Sequence, residues 1–514
     1  MDDARQELEL VFALAGPVGA DLQEVSCTVA DALRKSEYAV EEISVSALIR
    51  QIAAKVPLTT RDRFAIRLFE SPEEKRIASY VDAANAIRRV ACDPAAVASA
   101  AIAEIRGRRR KHSAGVPSRR AYILRSLKRP EEAQLLRRIY GAGFFLIGVN
   151  VNRPARVDSL AKRIAKSHNE TASSPNFAKY IEAAEVLTKR DEDEAWDDYG
   201  HRLRDVFQLC DLFVSPSAPT SLFDQIDRCI RLILGDLSET PWADEQFMFQ
   251  AFAASLSSGA LGRQVGAVLV SPSREVLGIG WNEVPKAGGG LYRAGEHYDH
   301  RDIREDRDSV NIHADQIIGE IVELARDAGW LKSEPDLDAA RHAFRTSRVM
   351  SLLEFGRTSH AEMEAVLAAA RIGVSPRGST LYTTTFPCHQ CARLIVTAGV
   401  GKVVYIEPYP KSRALELHRD AIFAYDDEKA PHADAVRFEP FLGIAPHRFV
   451  DLFSMTTSAG VPRDRKVKTS GERIRWDAKT SLPKVEMLPM SYLDLEAKAL
   501  HQLKKFLGPG GSRR

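Results

Sequence analysis

Two short runs carry side chains whose types and spacing suit one kind of chemistry: His360-Ala361-Glu362 and Pro387-Cys388-His389-Gln390-Cys391. A Cys-x-x-Cys pair at a helix start can aim two sulfurs at one ion, because the first turn sets both on the same side and its free backbone amides stabilise negative charge. One imidazole from a second helix completes a three-ligand set, and a tetrahedral Zn2+ held that way keeps its fourth position open for water. Glu362, two residues past His360, projects from the same helix start in a different direction. Such a carboxylate can take a proton from water and deliver it to a ring nitrogen and then to a leaving amine, which is what hydrolytic deamination requires. A lone Cys-x-x-Cys says little, since structural zinc knuckles share it. The joint pattern, with His-x-Glu about one helix and one strand upstream, is far more specific. His389 is the competing imidazole, but it points away from a helical Cys-x-x-Cys pair and is left out of the set.

The elements that must position these groups are legible around them. A second globular domain starts near Trp242 with a helix over Glu245 to Leu256, a strand Val265 to Val270, a turn at Ser271 to Ser273 and a returning strand Val276 to Trp281. Helix His360 to Arg371, strand Thr380 to Thr384, helix Cys388 to Thr397 and strand Lys402 to Ile406 follow. Between them, 283–358 is longer than an ordinary connection, with Gly288 to Gly290, a charged run His300 to Asp308 and a helical centre over Ile312 to Ala328. Insertions of that length tend to be lids or substrate-handling elements. Beyond Asp434 the pattern is weak, and the tail Gly508 to Arg514 is expected to be mobile.

The first half reads as a separate α/β domain. An apolar run Leu10 to Ala15 ends in Gly16-Pro17-Val18-Gly19 and a helix over Asp21 to Lys35, a strand, glycine turn and helix that could cradle an anion on its amides. Strands at Tyr122 to Leu124, Gly143 to Val149 and Leu209 to Val214, with a helix over Pro130 to Tyr140, imply a doubly wound, mostly parallel sheet. Counted from Gly16, the positions where a phosphate-binding loop has its second Gly and its Lys hold Asp21 and Leu22, so a regulatory, nucleotide-sensing role or a purely structural α/β domain is expected there rather than phosphoryl transfer. Arg106 to Arg120, with Arg108 to Lys111 consecutive and basic, reads as a solvated loop or mobile lid ahead of an anion patch. A Pro- and Ser-rich shift at Ser215 to Thr220 and a linker helix Leu222 to Leu234 close the region. The expected domains are 1–230, 240–430 and a C-terminal extension 431–514.

Composition bounds the rest. The 514 residues are 45% hydrophobic and 28% charged, with a formal net charge of +2, which does not describe a chain built to wrap nucleic acid. Six cysteines are too few for a disulfide scaffold, and Cys27, Cys92, Cys210 and Cys229 are scattered singly. The most apolar stretch, Tyr140 to Val149, is too short to span a bilayer, and the acidic start is unlike a leader peptide, so a cytoplasmic protein with no membrane partner is expected.

Residues from about Glu245 to Ala421 resemble the cytidine and deoxycytidylate deaminase superfamily, in which a five-stranded sheet sits between helices. Three segments, Arg263 to Ala267, Gly280 to Pro285 and Tyr405 to Ser412, resemble more narrowly the two-domain anti-phage dCTP deaminases of bacterial defence, which place a P-loop-kinase-like domain ahead of the deaminase. The resemblance implies that His360, Cys388 and Cys391 hold Zn2+, that Glu362 shuttles protons and that Asn282 meets the nucleotide sugar, although a turn residue after a strand explains Asn282 equally well. Arg263 and Lys411, with Lys286 and Arg357, are phosphate candidates; an Arg ahead of a buried strand is also commonly a solvated flank. Gly16 and Gly19 belong to the phosphate-loop candidate. The implied activity is deamination of free deoxycytidine nucleotides, dCTP to dUTP and also dCMP to dUMP, depleting dCTP in antiviral defence. The chain is expected to be a homo-oligomer, with a regulatory nucleotide or RNA as a candidate partner. Two alternatives stay open: a nucleic-acid-editing cytosine or adenine deaminase, and a non-catalytic nucleotide-sensing protein.

Overall fold

The computed structural model describes residues 9–113, 119–192, 194, 197–305, 309–331, 337–344, 356–407, 412–424, 432–457, 460–479, 481, 483–484 and 489–507. The chain forms two compact units: Met1–Glu245 together with Leu442–Arg514, and Gln246–Phe441. Both are mixed α/β, each around a sheet rich in parallel pairs.

The first unit runs β1 Leu10–Ala15, α1 Leu22–Lys35, β2 Ala39–Ser44, α2 Val45–Ala53, α3 Glu73–Ala91, α4 Ala96–Ser113, β3 Arg120–Arg125 and α5 Pro130–Tyr140. It continues with β4 Phe144–Val149, α6 Arg153–Ser167, α7 Phe177–Glu192, α8 Leu203–Phe207, β5 Leu212–Val214 and α9 Leu222–Ile233. The apolar run of β1 is buried throughout and pairs in parallel with β3 on one side and β4 on the other, as a strand covered on both faces must. The crossover from β1 leads to β2 at one edge, and that from β3 leads to β4 on the opposite side of β1. The loops leaving the carboxyl ends of β1 and β3 therefore part, which is where open α/β sheets form a crevice.

Helix α10 Ala243–Ser255 leads into the second unit, which continues with β6 Gly266–Val270, β7 Val276–Trp281, α11 Asp302–Glu305, α12 Ser309–Asp327, α13 Leu337–Phe344, α14 Ala361–Arg371 and β8 Thr380–Thr385. It ends with α15 His389–Thr397, β9 Lys402–Glu407, α16 Ala414–Leu417, β10 Ile422–Ala424 and β11 Val436–Pro440. The sheet order is β10-β11-β9-β8-β6-β7, six strands where the resemblance implied five. Only β6 runs antiparallel to its neighbours; β8, β9, β11 and β10 are parallel.

Residues beyond Phe441, expected as an extension, return to the first unit. There β12 Gly443–Ile444 adds an antiparallel edge to β5, followed by α17 Phe449–Phe453 and α18 Pro489–Leu507. Among the described residues no helix is long and apolar enough to cross a membrane.

The basic run at Arg108 to Lys111 is not the solvated loop expected of it: it lies on α4, and Arg109 is 1% exposed. Its guanidinium donates from Nη1 and Nη2 to the two oxygens of Glu496 on α18, both at 2.8 Å, and from Nε to Glu9 at 2.7 Å. Hydroxyls of Tyr122 and Tyr492 donate to Glu9, and that of Tyr140 donates to Glu496. A charge run looks solvated when its partners are invisible, and these lie 100 and 387 residues away. Arg109→Met would leave two buried carboxylates without a cation. It is expected to cost about 3–5 kcal/mol in denaturant unfolding at neutral pH. Burial already lifts the Glu9 pKa, so the penalty should shrink as pH falls and the carboxyls take up protons.

Candidate metal centre

The centre is built where two helix N-termini meet, and a close approach of helix to strand sets one of them. On β7, a Cβ at Gly278 would lie 2.1 Å from the Ala365 carbonyl oxygen, and one at Gly280 would lie 2.2 Å from that of Ala361. Only glycine admits a helix backbone at that range. The facing stripe of α14, Ala361, Ala365 and Ala369, is small and fully buried, so α14 lies directly on the strand. His360 is the N-cap of α14 in extended conformation, and Glu362 lies in its first turn. Strand β8 delivers the second helix start, with Cys388 as the N-cap of α15 and its sulfur accepting from the Cys391 amide at 3.4 Å.

The His360 Nδ1 lies 3.2 Å from the Cys391 Sγ and 3.3 Å from the Cys388 Sγ. Zinc bonds of about 2.3 Å to sulfur and 2.05 Å to nitrogen at a tetrahedral angle would set N and S about 3.6 Å apart, so this set fits zinc closely. The three ligand atoms all lie within 4.8 Å of one another, and His389 is not part of the group. Glu362, 4% exposed, brings Oε2 to 3.5 Å from the Cys391 Sγ, beside the set.

Charges in this enclosure are strongly coupled. The Cys391 contact, and after it His360, hold the Cys388 thiol down at about 4 against the effect of burial. Burial and the neighbouring Cys388 push Cys391 well up. Burial would depress His360, but the Cys388 thiolate and Glu362 outweigh it and raise its pKa. Glu362 is pushed up to about 7 by burial, with His360 opposing. Metal ligation needs both sulfurs as thiolates and the imidazole neutral, so a bound cation displaces protons from this group.

The other candidates are placed less simply. Asn282 spends its carboxamide on backbone: Oδ1 accepts from the Val265 amide at 2.7 Å, and Nδ2 donates to the Arg263 carbonyl at 2.8 Å. It thereby clamps the entry to β6, with one further bond open at each end of the amide. Arg263 donates to Glu407 Oε2 at 2.8 Å and remains 43% exposed at its side chain. Lys286 is paired with Glu296, and Arg357 with Asp302 and Glu305. Lys411 lies outside the described residues. Gly16 and Gly19 belong to the first unit, where Gly19 has φ +94° and a Cβ would lie 2.5 Å from the Arg156 carbonyl oxygen.

Sequence reasoning passed over Glu407 and Glu283. Glu407 ends β9, and its backbone oxygen accepts from Phe386, next to the Pro387-Cys388 turn. Glu283 is fully buried and accepts from the Gly259 and Val284 amides. The available signal was position: each stands within a segment that carried the family resemblance.

Residues 242–407 match the family described as the cytidine and deoxycytidylate deaminase zinc-binding region. The deoxycytidylate deaminase of Enterobacteria phage T4 is 32% identical over 112 residues, 18% of this chain and 55% of that protein. ComE operon protein 2 of Bacillus subtilis is 45% identical over 53 residues, 10% of this chain and 28% of that one, and the Homo sapiens deoxycytidylate deaminase is 24% identical over 163 residues, 32% and 63%. The chain thus spans about half or less of the first curated relatives it matches. The solved dCMP deaminase from cyanophage S-TIM5, in complex with dCMP and dUMP, is 21% identical, covering 40% of this chain and 99% of that one with a TM-score of 0.23. The family match thus falls almost entirely on the second unit, over a span that contains His360, Glu362, Cys388 and Cys391.

Two substitutions test this construction. Cys391→Ser should reduce stoichiometric zinc to trace on elemental analysis while the sheet still folds. Gly280→Ala, which drives a methyl into the α14 backbone, should destabilise the protein by about 1–3 kcal/mol in thermal or denaturant unfolding.

Proposed function

We propose that the second unit hydrolyses free deoxycytidine nucleotides to their deoxyuridine forms, dCTP to dUTP and dCMP to dUMP, releasing ammonia. The observation that carries this is the buried Glu362 carboxylate set beside a His360, Cys388 and Cys391 ligand group. A zinc ion held by those three side chains supplies the acidification that makes water nucleophilic near neutral pH. Glu362 accepts one proton of the water that adds to C4 of the base and delivers it to N3, then accepts the second proton from the new C4 hydroxyl and delivers it to the amino group, which departs as ammonia while the C4 carbonyl forms. Its burial excludes bulk water from that transfer.

Names of the relatives support a deoxycytidine nucleotide, and a near-neutral chain supports a free nucleotide over a nucleic-acid strand. Arg263, exposed near the ends of β8 and β9, is the described cation we assign to the phosphates, exchanging Glu407 for substrate. The resemblance to the anti-phage family extends the reading to depletion of dCTP in antiviral defence, by a cytoplasmic homo-oligomer.

Ammonia release by the full chain from dCTP, dCMP, CTP, cytidine and a cytosine-containing oligonucleotide tests the assignment. Release from dCTP or dCMP is expected. Release from the oligonucleotide alone, or from nothing while zinc is bound, would overturn it. Glu362→Gln should lower kcat by about 10²–10⁴-fold. Its zinc content should not change.

A further inference from the structure

The crevice of the first unit holds a contact that the absence of a phosphate-loop lysine does not foretell. A cavity of about 510 Å³ opens at the ends of β1, β2 and β3, lined by the loop at Gly19 and Ala20, by Ser126 and Lys128, and by Asp191 and His201. The loop after β1 leads into the N-terminus of α1, whose Gln23 and Glu24 amides are capped by Asp21 Oδ1. The Val18 amide, in the loop that lines the crevice, donates instead to Asp191 Oδ2 at 2.7 Å. The same oxygen accepts from Lys128 Nζ at 2.8 Å, and Lys128 also donates to the Gly16 carbonyl at 2.9 Å. The other Asp191 oxygen lies 2.9 Å from His201 Nδ1.

A backbone amide and an ammonium on one oxygen are the donors that a phosphate oxygen would use. The lysine missing from the loop is thus supplied in space by Lys128, 112 residues away, and its anion is supplied by Asp191 from the last turn of α7. Asp191, His201 and Lys128 are all buried. The contact is fastened on both sides: Glu192, the next residue, accepts from Arg156 at 3.0 Å, and the Arg156 carbonyl is the group packed against Gly19. A phosphate oxygen on the same donors would lie against the Asp191 carboxylate, with like charges at contact distance, so the two occupants exclude one another.

We propose that Asp191 is the resident anion of the Gly16–Asp21 loop, an autoinhibitory contact that closes the crevice to phosphate-bearing ligands until the Asp191 end of α7 withdraws. The loop is then a gate worked by α7 and not a vacant nucleotide site.

The test uses the full chain and inorganic pyrophosphate as probe, titrated by calorimetry. Wild type should show no saturable binding at this loop. Asp191→Asn and Asp191→Ala should bind pyrophosphate about tenfold tighter or more. The gain should vanish when Lys128→Met is added, which separates this loop from any anion site in the second unit. Wild-type binding as tight as that of the variants, or folded variants that bind no tighter, would overturn the proposal. If neither variant folds, hydrogen exchange at the wild-type Val18 amide decides. Protection unchanged by millimolar pyrophosphate agrees with a closed gate, and altered protection shows that the loop takes the anion with Asp191 in place.

Discussion

A ligand set shared between two helices exists only if their first turns converge to within a few ångström, and here that convergence depends on how near a helix axis can come to a strand. The glycines of β7 remove the side chains that would hold α14 away, and the alanines of α14 answer them. His360 and Glu362 inherit their positions from this backbone contact, while Cys388 and Cys391 inherit theirs from the turn that follows β8. Both helix starts carry the positive end of a peptide dipole. That favours thiolate at Cys388 and gives the enclosure a field suited to negative ligands.

Deep charges in the first unit include three matched sets: Arg88 with Glu132, Arg109 with Glu9 and Glu496, Asp191 with Lys128. In the second, Glu362 sits beside the Cys388 and Cys391 sulfurs and the His360 imidazole, and burial dominates its proton affinity. Matched pairs rigidify, whereas an unmatched carboxyl can change its protonation during a reaction.

How much could be read without coordinates follows from the distance over which each contact acts. His360, Glu362, Cys388 and Cys391 were recognisable because their geometry is local to two helix starts, and the structure brings the same four together. Strand β1 and helix α5 were recognisable because an unbroken apolar run and a proline at a first turn are local signals. Arg109 was misjudged for the opposite reason, since its neighbours in sequence are basic and its neighbours in space are acidic. The amide of Asn282 carries no mark of being spent on the backbone at Arg263 and Val265, 19 and 17 residues away. Beyond Asp434 the pattern was too weak to show that the chain re-enters the first unit's sheet through only two residues of β12.

That re-entry gives synthesis an order. Translation delivers all of Gln246–Phe441, strands and metal ligands included, before the last strand and helix of the unit that was begun first. A nascent chain paused in this interval would hold a finished second unit attached to an unsealed first one, with Glu9 and Arg109 still lacking the carboxylate of Glu496. Completion of the earlier unit therefore waits on α18, which is made only after the whole of the second unit.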